Sequence, residues 1–499
     1  MAVPAPLDHP AKSLCAIYAL RTLSVLLLAW ITTYLFPSFS PLGYDTSSTH
    51  ITRLGNTRFF EYDASNDHQQ GIGSVERLVT ALTRWDAIYF ASIAKHGYRW
   101  EQEWAFGIGQ SYLLQGYKFI RAFISSSDIS PSSEIFFLSI CSCIAHLVSA
   151  ITLFHLTALL FQTTDRSKGR SPTRGSPANI VPFVAATLHI LSPAGIFLIA
   201  PYNESIFSAL SFLGYYLYSY AIKNTAIDGK HEWWNEIFLL LSGLFFGISC
   251  LFRSNGVING ILFVFEVSQS AWRLVSGINP FANLRLFIAS GVSGALVSIP
   301  FLWRQYAGWL EYCIPEEYSV KREWCNKTLP SIYSYVQSQY WGVGFMKYWT
   351  AGNIPLFLLA APMLFVLLRT SSDILKITAP PVNRLYSLSL NEANRDLLFR
   401  LTVPQLLLAT MAITNYHVQI ITRLSSGLPM WYVVTAAALI QTTTADTEVS
   451  ESKDTSSESG KTGDETDNTD ASWCRPAIHF FLGYQVVQAV LYGGFLPPA

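Results

Sequence analysis

Runs of about 20 mostly apolar residues recur along this chain, each long enough to cross a lipid bilayer as a helix. There are about eleven. The clearest are 14–36, 135–161, 204–222, 236–252 and 354–368, and the shorter or weaker ones are 180–200, 256–272, 284–303, 397–414, 428–441 and 476–496. One or two are expected to be broken or re-entrant. None shows the alternating ten-residue pattern of outer-membrane strands. The fold class that follows is an all-α polytopic membrane protein. Composition agrees. As a soluble protein, 499 residues would suggest roughly three domains. Charged residues make up 13% of the chain, about half of the ~25% usual in soluble domains, too few to cover three soluble surfaces. At 51% hydrophobic residues, most of the chain is too apolar to be disordered. With 33 basic against 33 acidic residues, it lacks the basic surplus of a nucleic-acid binder.

The first run has an apolar stretch too long for a cleavable signal peptide, and no small-residue cleavage site follows it cleanly. It reads as a signal anchor with residues 1–13 in the cytosol. Loop 162–179 carries Arg166, Lys168, Arg170 and Arg174, and loop 370–396 carries Lys376, Arg384 and Arg395. Both fall on the cytosolic side if the eleven spans alternate, as the positive-inside rule requires. Loops 37–134 and 304–353 then lie on the far side. Residues 443–475 read as a disordered cytosolic loop before a last span within 476–499, because nine acidic residues stand against Lys453 and Lys461 between Asp446 and Asp470. An acidic docking segment is the less common reading of such a run. No internal repeat is apparent.

Of seven cysteines, Cys15, Cys141, Cys143 and Cys250 lie in apolar runs, and Cys474 is on the cytosolic side. Cys313 and Cys325 share one non-cytosolic loop; bonded and free states both fit, the bonded one in an oxidising compartment. Asn326-Lys327-Thr328 in that loop is a glycosylation sequon. Asn203-Glu204-Ser205 matches the same pattern but hugs the membrane.

An ionisable residue at or inside a span is costly, so it is a functional candidate by default. On the topology above such residues collect on the non-cytosolic face: Arg84-Trp85-Asp86, Tyr202-Asn203-Glu204, Arg253-Ser254-Asn255, the stretch 324–353, and His417 to Arg423. Short loops on that face are normally depleted of Arg and Lys, so Arg253 and Arg423 suggest an anionic partner. In the first loop, Leu78, Val79, Leu82, Trp85, Ile88, Tyr89 and Ile93 recur at helical spacing, which predicts an amphipathic interfacial helix ended by Gly97. Trp85 is expected to face lipid and Asp86 to point out of the apolar face. A carboxylate there can take a proton from a hydroxyl whose lipid tail lies in the membrane; a helix cap, or an ion pair with Arg84, is the structural alternative. The lone His96 and His417 are more often structural. The aromatic turn of Tyr340, Trp341 and Phe345 around Gly342 and Gly344 fits a sugar platform or an interfacial belt. No metal-ligand spacing, DxD pair, P-loop or GxGxxG cradle is present. For a transferase, this favours a lipid-linked donor over a nucleotide sugar, with no metal and no cofactor.

Together these blocks resemble a known family. Arg84-Trp85-Asp86-Ala87, Ile93 to Tyr98 and Glu101-Gln102 resemble the first-loop signature of the GPI mannosyltransferase 2 family (PIG-V type). Ser192-Pro193-Ala194 through Ser205, Arg253-Ser254-Asn255-Gly256, Leu329 to Tyr333 with Tyr340 to Phe345, and His417 through Arg423 to Trp431-Tyr432 follow in the family's order. The long acidic insert looks fungal. One departure stands out: where the family often has Ala-Phe-Phe-Pro, this chain has Ala105-Phe106-Gly107-Ile108, which leaves the shape of that turn open.

The resemblance implies a GT-C bundle of about eleven transmembrane helices, with a catalytic domain over 14–442 and a long lumenal first loop carrying amphipathic helices. It implies an endoplasmic-reticulum enzyme with a lumenal active site. Such an enzyme transfers the second mannose, in α1,6 linkage, from dolichol-phosphate-mannose to the GPI precursor lipid with inversion. Asp86 would be the base. Arg253 and Arg423 would hold the departing phosphate. Arg84, Trp85, Glu101, Glu204, Asn255 and His417 would contact sugars or orient those that do. A small membrane subunit of the reticulum is an expected partner in fungal members. The alternatives are another dolichol-phosphate-mannose-dependent GT-C mannosyltransferase, a polytopic lipid transporter, which would place ionisable groups near mid-membrane and often show pseudo-repeats, and a non-catalytic scaffold, which leaves Arg253 and Arg423 unexplained.

Overall fold

Each apolar run overlaps a helix, and the structure separates helices long enough to cross a bilayer from those that end early. It is a computed structural model describing residues 9–35, 78–79, 81–124, 131–161, 177–228, 233–314, 322–378, 384–386, 388–454 and 471–494. In chain order the helices are α1 (Pro10–Leu35), α2 (Asp86–His96), α3 (Gly109–Ile124), α4 (Pro131–Phe161), α5 (Pro177–Ile190), α6 (Glu204–Asp228), α7 (Trp233–Phe252) and α8 (Ile261–Val275). They continue as α9 (Pro280–Cys313), α10 (Ile332–Gln339), α11 (Ile354–Thr378), α12 (Glu392–Thr414), α13 (Ile421–Leu424), α14 (Met430–Asp454) and α15 (Cys474–Gly493). Short 3-10 turns lie between them. A two-residue antiparallel hairpin, β1 (Arg384–Leu385) with β2 (Leu388–Ser389), pairs Arg384 with Ser389 and Leu385 with Leu388, so the chain is predominantly rather than wholly helical.

Six helices are long and apolar enough to cross a membrane: Pro10–Thr32, Ser133–Phe161, Trp233–Phe252, Pro280–Cys313, Ala351–Thr378 and Glu392–Thr414. A seventh candidate is the pair Val418–Gly427 and Met430–Thr443, bent by 83°. Among the described residues, length and composition therefore pick out six or seven of the eleven candidate spans. The other runs fall short for visible reasons. Helix α5 has 14 residues and α8 has 15. Helices α6 and α15 are long enough, but their Tyr, Ser and Gln residues dilute the apolar character. Helix α14 runs on to Asp454, into the segment read as an acidic loop; the rest of that loop, 455–470, lies outside the described residues.

The core is built on α6, which packs between α4 and α7, while α9 covers α7 and α8. Small residues allow the closest approach. A Cβ on Gly243 would come within 2.7 Å of the Ser293 backbone, and one on Gly247 within 2.3 Å of the Leu296 carbonyl. This is the spacing by which helices pack in lipid, where dispersion replaces the hydrophobic effect. Helices α11 and α12 pack together, α5 lies on α14, and α1 pairs with α15.

The helix predicted in the first loop differs in two ways. It is interrupted at 83–85, and α2 starts at Asp86. Its apolar face (Ala87, Phe90, Ala91, Ile93 and Ala94) is buried in protein, and Trp85 packs against that cluster rather than lipid. Helical periodicity reveals an apolar face but not what covers it. Among the described residues of the first loop, α3 presents an exposed apolar face, with Tyr112, Phe119, Ile120, Phe123 and Ile124 exposed.

Candidate active site

The five sequence-distant polar clusters meet. A cavity of about 120 Å³ is lined by Asp86, Asn203, Arg253, Ser254, Asn255, Tyr333, Trp341, His417 and Arg423, with Phe106, Gly107 and Phe252 as apolar wall. Every block that carries ionisable groups near a membrane edge contributes to it.

Asp86 is placed by a forced turn. Trp85 has φ +54°, a region that residues with a Cβ rarely adopt. The Arg84 carbonyl before it accepts from the Tyr202 hydroxyl at 3.1 Å and the Tyr492 hydroxyl at 3.2 Å. The single Tyr492 proton is shared with the Leu82 carbonyl, the nearer of the two acceptors at 2.9 Å. The chain thus leaves this anchor abruptly, and Asp86 becomes the first residue of α2, where the helix dipole favours a carboxylate.

Four charges then form one chain. Arg423 donates from Nη1 and Nη2 to Asp86 Oδ2, both at 3.0 Å. Its Nε donates to Glu204 Oε1 at 2.9 Å. Arg253 Nη1 donates to the same Glu204 oxygen at 2.6 Å. Glu204 is fully buried, whereas the Asp86 side chain is 36% exposed. The Arg423 guanidinium also lies over the rings of Phe197 at 4.4 Å and Tyr202 at 5.0 Å. All three of its nitrogens are engaged. Arg253 keeps a buried Nε with no partner. Asp86 and Glu204 balance Arg253 and Arg423, so the chain of four is neutral overall.

The wall of the cavity explains the unusual turn at Gly107. A Cβ there would lie 2.1 Å from the Phe252 carbonyl oxygen, so that close approach requires glycine. The same carbonyl accepts from Asn203 Nδ2 at 2.9 Å. Phe252 is thereby pinned from two sides just before Arg253. Behind the turn, Arg304 of α9 donates to the carbonyls of Trp104, at 2.9 Å, and Phe106.

Glu101 has a different place. It is buried outside the cavity and accepts from Trp324 Nε1 at 3.1 Å and the Tyr340 hydroxyl at 3.0 Å. It therefore joins the first loop to the loop after α9. Burial and then this hydrogen bond push the Tyr340 hydroxyl up to about 12. Cys313 and Cys325 are disulfide-bonded, with Cα atoms 5.6 Å apart, next to Trp324. Asn326 is exposed beside them.

Of the residues singled out from the sequence, Asp86, Arg253, Asn255, His417 and Arg423 line the cavity. Glu204 stands behind the two arginines. Arg84 and Trp85 shape the turn before Asp86, and Glu101 clamps the loops. His417 faces the rings of Tyr348, at 4.9 Å, and Trp341, at 6.1 Å. Burial lowers its pKa below the usual histidine range, with Asp86 pulling in the opposite direction. The aromatic turn divides: Trp341 lines the cavity beside Phe106, while Phe345 is exposed.

The sequence reading passed over Arg21, Glu266, Arg304 and Arg400. Each is buried inside or at the end of a helix, Arg400 paired with Glu266 and Glu266 bonded to the Tyr218 hydroxyl at 2.7 Å. Ionisable residues in apolar runs were the available signal. Among the described residues no group of three or more His, Cys, Asp and Glu converges as a metal site. What the cavity offers instead is an accessible carboxylate beside two guanidinium groups, which together can take a proton from a hydroxyl and receive an anionic leaving group.

Known proteins are similar to this chain. A family model described as Mannosyltransferase (PIG-V) matches residues 49–499. GPI mannosyltransferase 2 of Gibberella zeae is 37% identical over 429 residues, covering 86% of this chain and 88% of that protein. GPI mannosyltransferase 2 of Aspergillus fumigatus is 35% identical over 488 residues, covering 96% and 93%. Among solved structures, the oligosaccharyltransferase of Archaeoglobus fulgidus tethered to an acceptor peptide aligns with a TM-score of 0.42 and 11% identity. That alignment covers 94% of this chain, which spans about half, 55%, of the archaeal protein.

Proposed function

The chain belongs to the mannosyltransferase (PIG-V) family, and from that we propose that the cavity at Asp86 transfers the second mannose of a GPI anchor, in α1,6 linkage, from dolichol-phosphate-mannose. The protein is a GPI mannosyltransferase, hence a glycosyltransferase that acts on a GPI precursor. The carrying observation is the Asp86 carboxylate, open to the cavity on one oxygen and held by Arg423 on the other.

In the proposed reaction Asp86 takes the proton of the acceptor's 6-hydroxyl. The freed oxygen attacks the anomeric carbon of the donor mannose from the face opposite the phosphate. The bond from that carbon to the phosphate oxygen breaks, and the electron pair leaves on dolichol phosphate. One displacement turns a β-linked donor into an α-linked product, so no covalent sugar intermediate is needed. Of the two arginines, Arg253 is the better first contact for the leaving phosphate, because it lines the cavity, its side chain is the more exposed of the two (16% against 11%), and it spends one nitrogen, Nη1, on Glu204. Arg423 has every nitrogen engaged and serves chiefly to aim Asp86. Asn255, His417 and Trp341 are suited to sugar hydroxyls and ring faces.

This reading puts the cavity in the lumen of the endoplasmic reticulum and the N-terminus in the cytosol, in a GT-C bundle where α5, α6, α8 and α15 complete the spans. It also takes Asn326 as a glycosylation site and allows for a small membrane subunit.

The test is Asp86→Asn in cells lacking the endogenous enzyme, with protein amount and insertion matched. The expected result is a stable protein that leaves GPI precursors at one mannose. Normal precursors in the mutant would remove Asp86 as the base and turn attention to Glu204. A one-mannose precursor left untouched even by wild type would overturn the acceptor assignment or point to a missing subunit.

A further inference from the structure

Between α5 and α6 the chain leaves α-helical geometry inside the protein, with one short 3-10 turn at Gly195–Leu198. Helix α5 stops at Ile190, Pro193 cannot continue it, and Gly195 has φ +53°. Residues Ala194 to Tyr202 are nevertheless almost wholly buried. Buried backbone outside an α-helix must find partners for its free carbonyls within the protein. Here the partners come from distant helices. Arg21, in the middle of α1, donates from Nη2 to the Gly195 carbonyl at 2.6 Å. Gln488 of α15, in the orientation that satisfies its amide, donates to the carbonyls of Pro193 at 3.3 Å and Ala194 at 3.1 Å. Ser205 closes the far side, donating to the Leu198 carbonyl at 2.7 Å. A Cβ on Gly195 would come within 2.2 Å of the Gln488 amide and push that side chain off its carbonyls, and the φ of +53° itself favours glycine.

The segment held in this way carries Phe197, the ring beneath Arg423. Arg423 in turn fixes Asp86. A continuous set of contacts therefore runs from α1 to the carboxylate. Arg21 is 6% exposed, and its Nε and Nη1 have no partner. Burying a guanidinium is costly, and a single carbonyl contact does not offset it. Fold stability alone would be served as well by an apolar residue.

We propose that Arg21, with Gln488, is a positioning residue for mannosyl transfer: it holds the buried turn 193–198 so that Phe197 supports Arg423, and Arg423 aims Asp86. The proposal rests on the reading of Asp86 as the base. Arg21 touches no substrate and acts wholly through Phe197.

The experiment uses full-length protein in membranes and compares turnover per folded enzyme for Arg21→Met, Arg21→Lys, Phe197→Leu and Arg21→Met combined with Phe197→Leu. A group displaced by about 1 Å can cost on the order of 100-fold in rate. We expect Arg21→Met to lower kcat by about tenfold. Arg21→Lys should restore it to within about threefold, because only one nitrogen donates to Gly195 and a lysine can replace a single donor. The combined variant should be no slower than the slower single one, since contacts in series do not add. Unchanged kcat in Arg21→Met, no rescue by lysine, or multiplying effects in the combined variant would each overturn the proposal. Should Arg21→Met not fold, Gln488→Leu takes its place, since it removes two carbonyl contacts from the same turn. It must then be non-additive with Phe197→Leu, and additivity overturns the proposal. Asp86→Asn is run alongside. Full activity there would sink the assignment of the base, whereas a normal Arg21→Met beside a dead Asp86→Asn would sink only the positioning role.

Discussion

Arg423 grips Asp86 by one oxygen only: both terminal guanidinium nitrogens lie 3.0 Å from Oδ2. Among the described residues Oδ1 has no protein partner, and the side chain is open enough to meet a substrate hydroxyl. A planar fork is needed, because the same guanidinium must also reach Glu204 through Nε. Lysine is a point donor and cannot span both carboxylates. Arg423→Lys should therefore keep most of the fold and lose about 100-fold in turnover, the scale expected when an aimed group is misplaced. Arg423→Ala should also unfold more easily by about 3–5 kcal/mol, because it leaves the buried Glu204 with less compensation. Membrane assays together with thermal melts in detergent separate the two effects.

Glu204 supplies the second arm. One oxygen accepts from Arg253 and Arg423, while Oε2 is buried without a partner. Glu204→Gln leaves both arginines facing an amide, so stability should fall by about 1–3 kcal/mol. Turnover should fall as well, although Glu204 does not line the cavity. A double-mutant cycle of Glu204→Gln with Arg253→Gln should show coupling of about 0.5–3 kcal/mol. Strict additivity would mean that the pair does not work as a unit.

How far the sequence could be read follows from what carries a signal. Asp86, Arg253, His417 and Arg423 could be picked out because charge at the edge of an apolar run is costly enough to need a reason. Their meeting at one cavity was foreshadowed by a topology count that put all five blocks on one face. Phe197 could not be picked out: a phenylalanine in an apolar run looks like any lipid-facing residue, and only the fold puts a guanidinium above it. Trp85 was misread for a related reason. Its spacing marks an apolar face, and here that face meets the protein. The helices themselves follow from run length, but α5 ends at Ile190 because Pro193 and Gly195 break a run whose hydropathy alone would extend to residue 200.

His417 offers a pH-dependent test. Burial lowers its pKa in the folded protein, so the unfolded chain binds a proton there more readily than the folded chain does. Stability from this group is present above the unfolded value of about 6.5 and is lost as pH falls through that value toward the folded one. Wild type should thus lose more melting temperature between about pH 7.5 and 5.5 than His417→Gln, which has no proton to bind at this site. Equal losses in the two proteins would show that His417 is not a source of acid sensitivity.

The disulfide and Glu101 together set how firmly the two large loops hold each other. Cys325 follows Trp324, whose indole nitrogen donates to Glu101, and Cys313 ends α9, whose Arg304 holds the backbone at Trp104 and Phe106. Opening the bond frees a loop of 12 residues' separation, which should cost about 2–3 kcal/mol by the chain-entropy argument. Cys313→Ser, Cys325→Ser and the double variant should all melt at nearly the same temperature, since each removes one bond. Glu101→Gln should cost about 1–3 kcal/mol by turning an amide N–H₂ toward donors. Combined with Cys325→Ser, it should fall short of the sum, because a loop already released has less to lose at Trp324. Full additivity of Glu101→Gln and Cys325→Ser would mean that the carboxylate and the disulfide hold separate parts of the two loops, and that Trp324 does not join them.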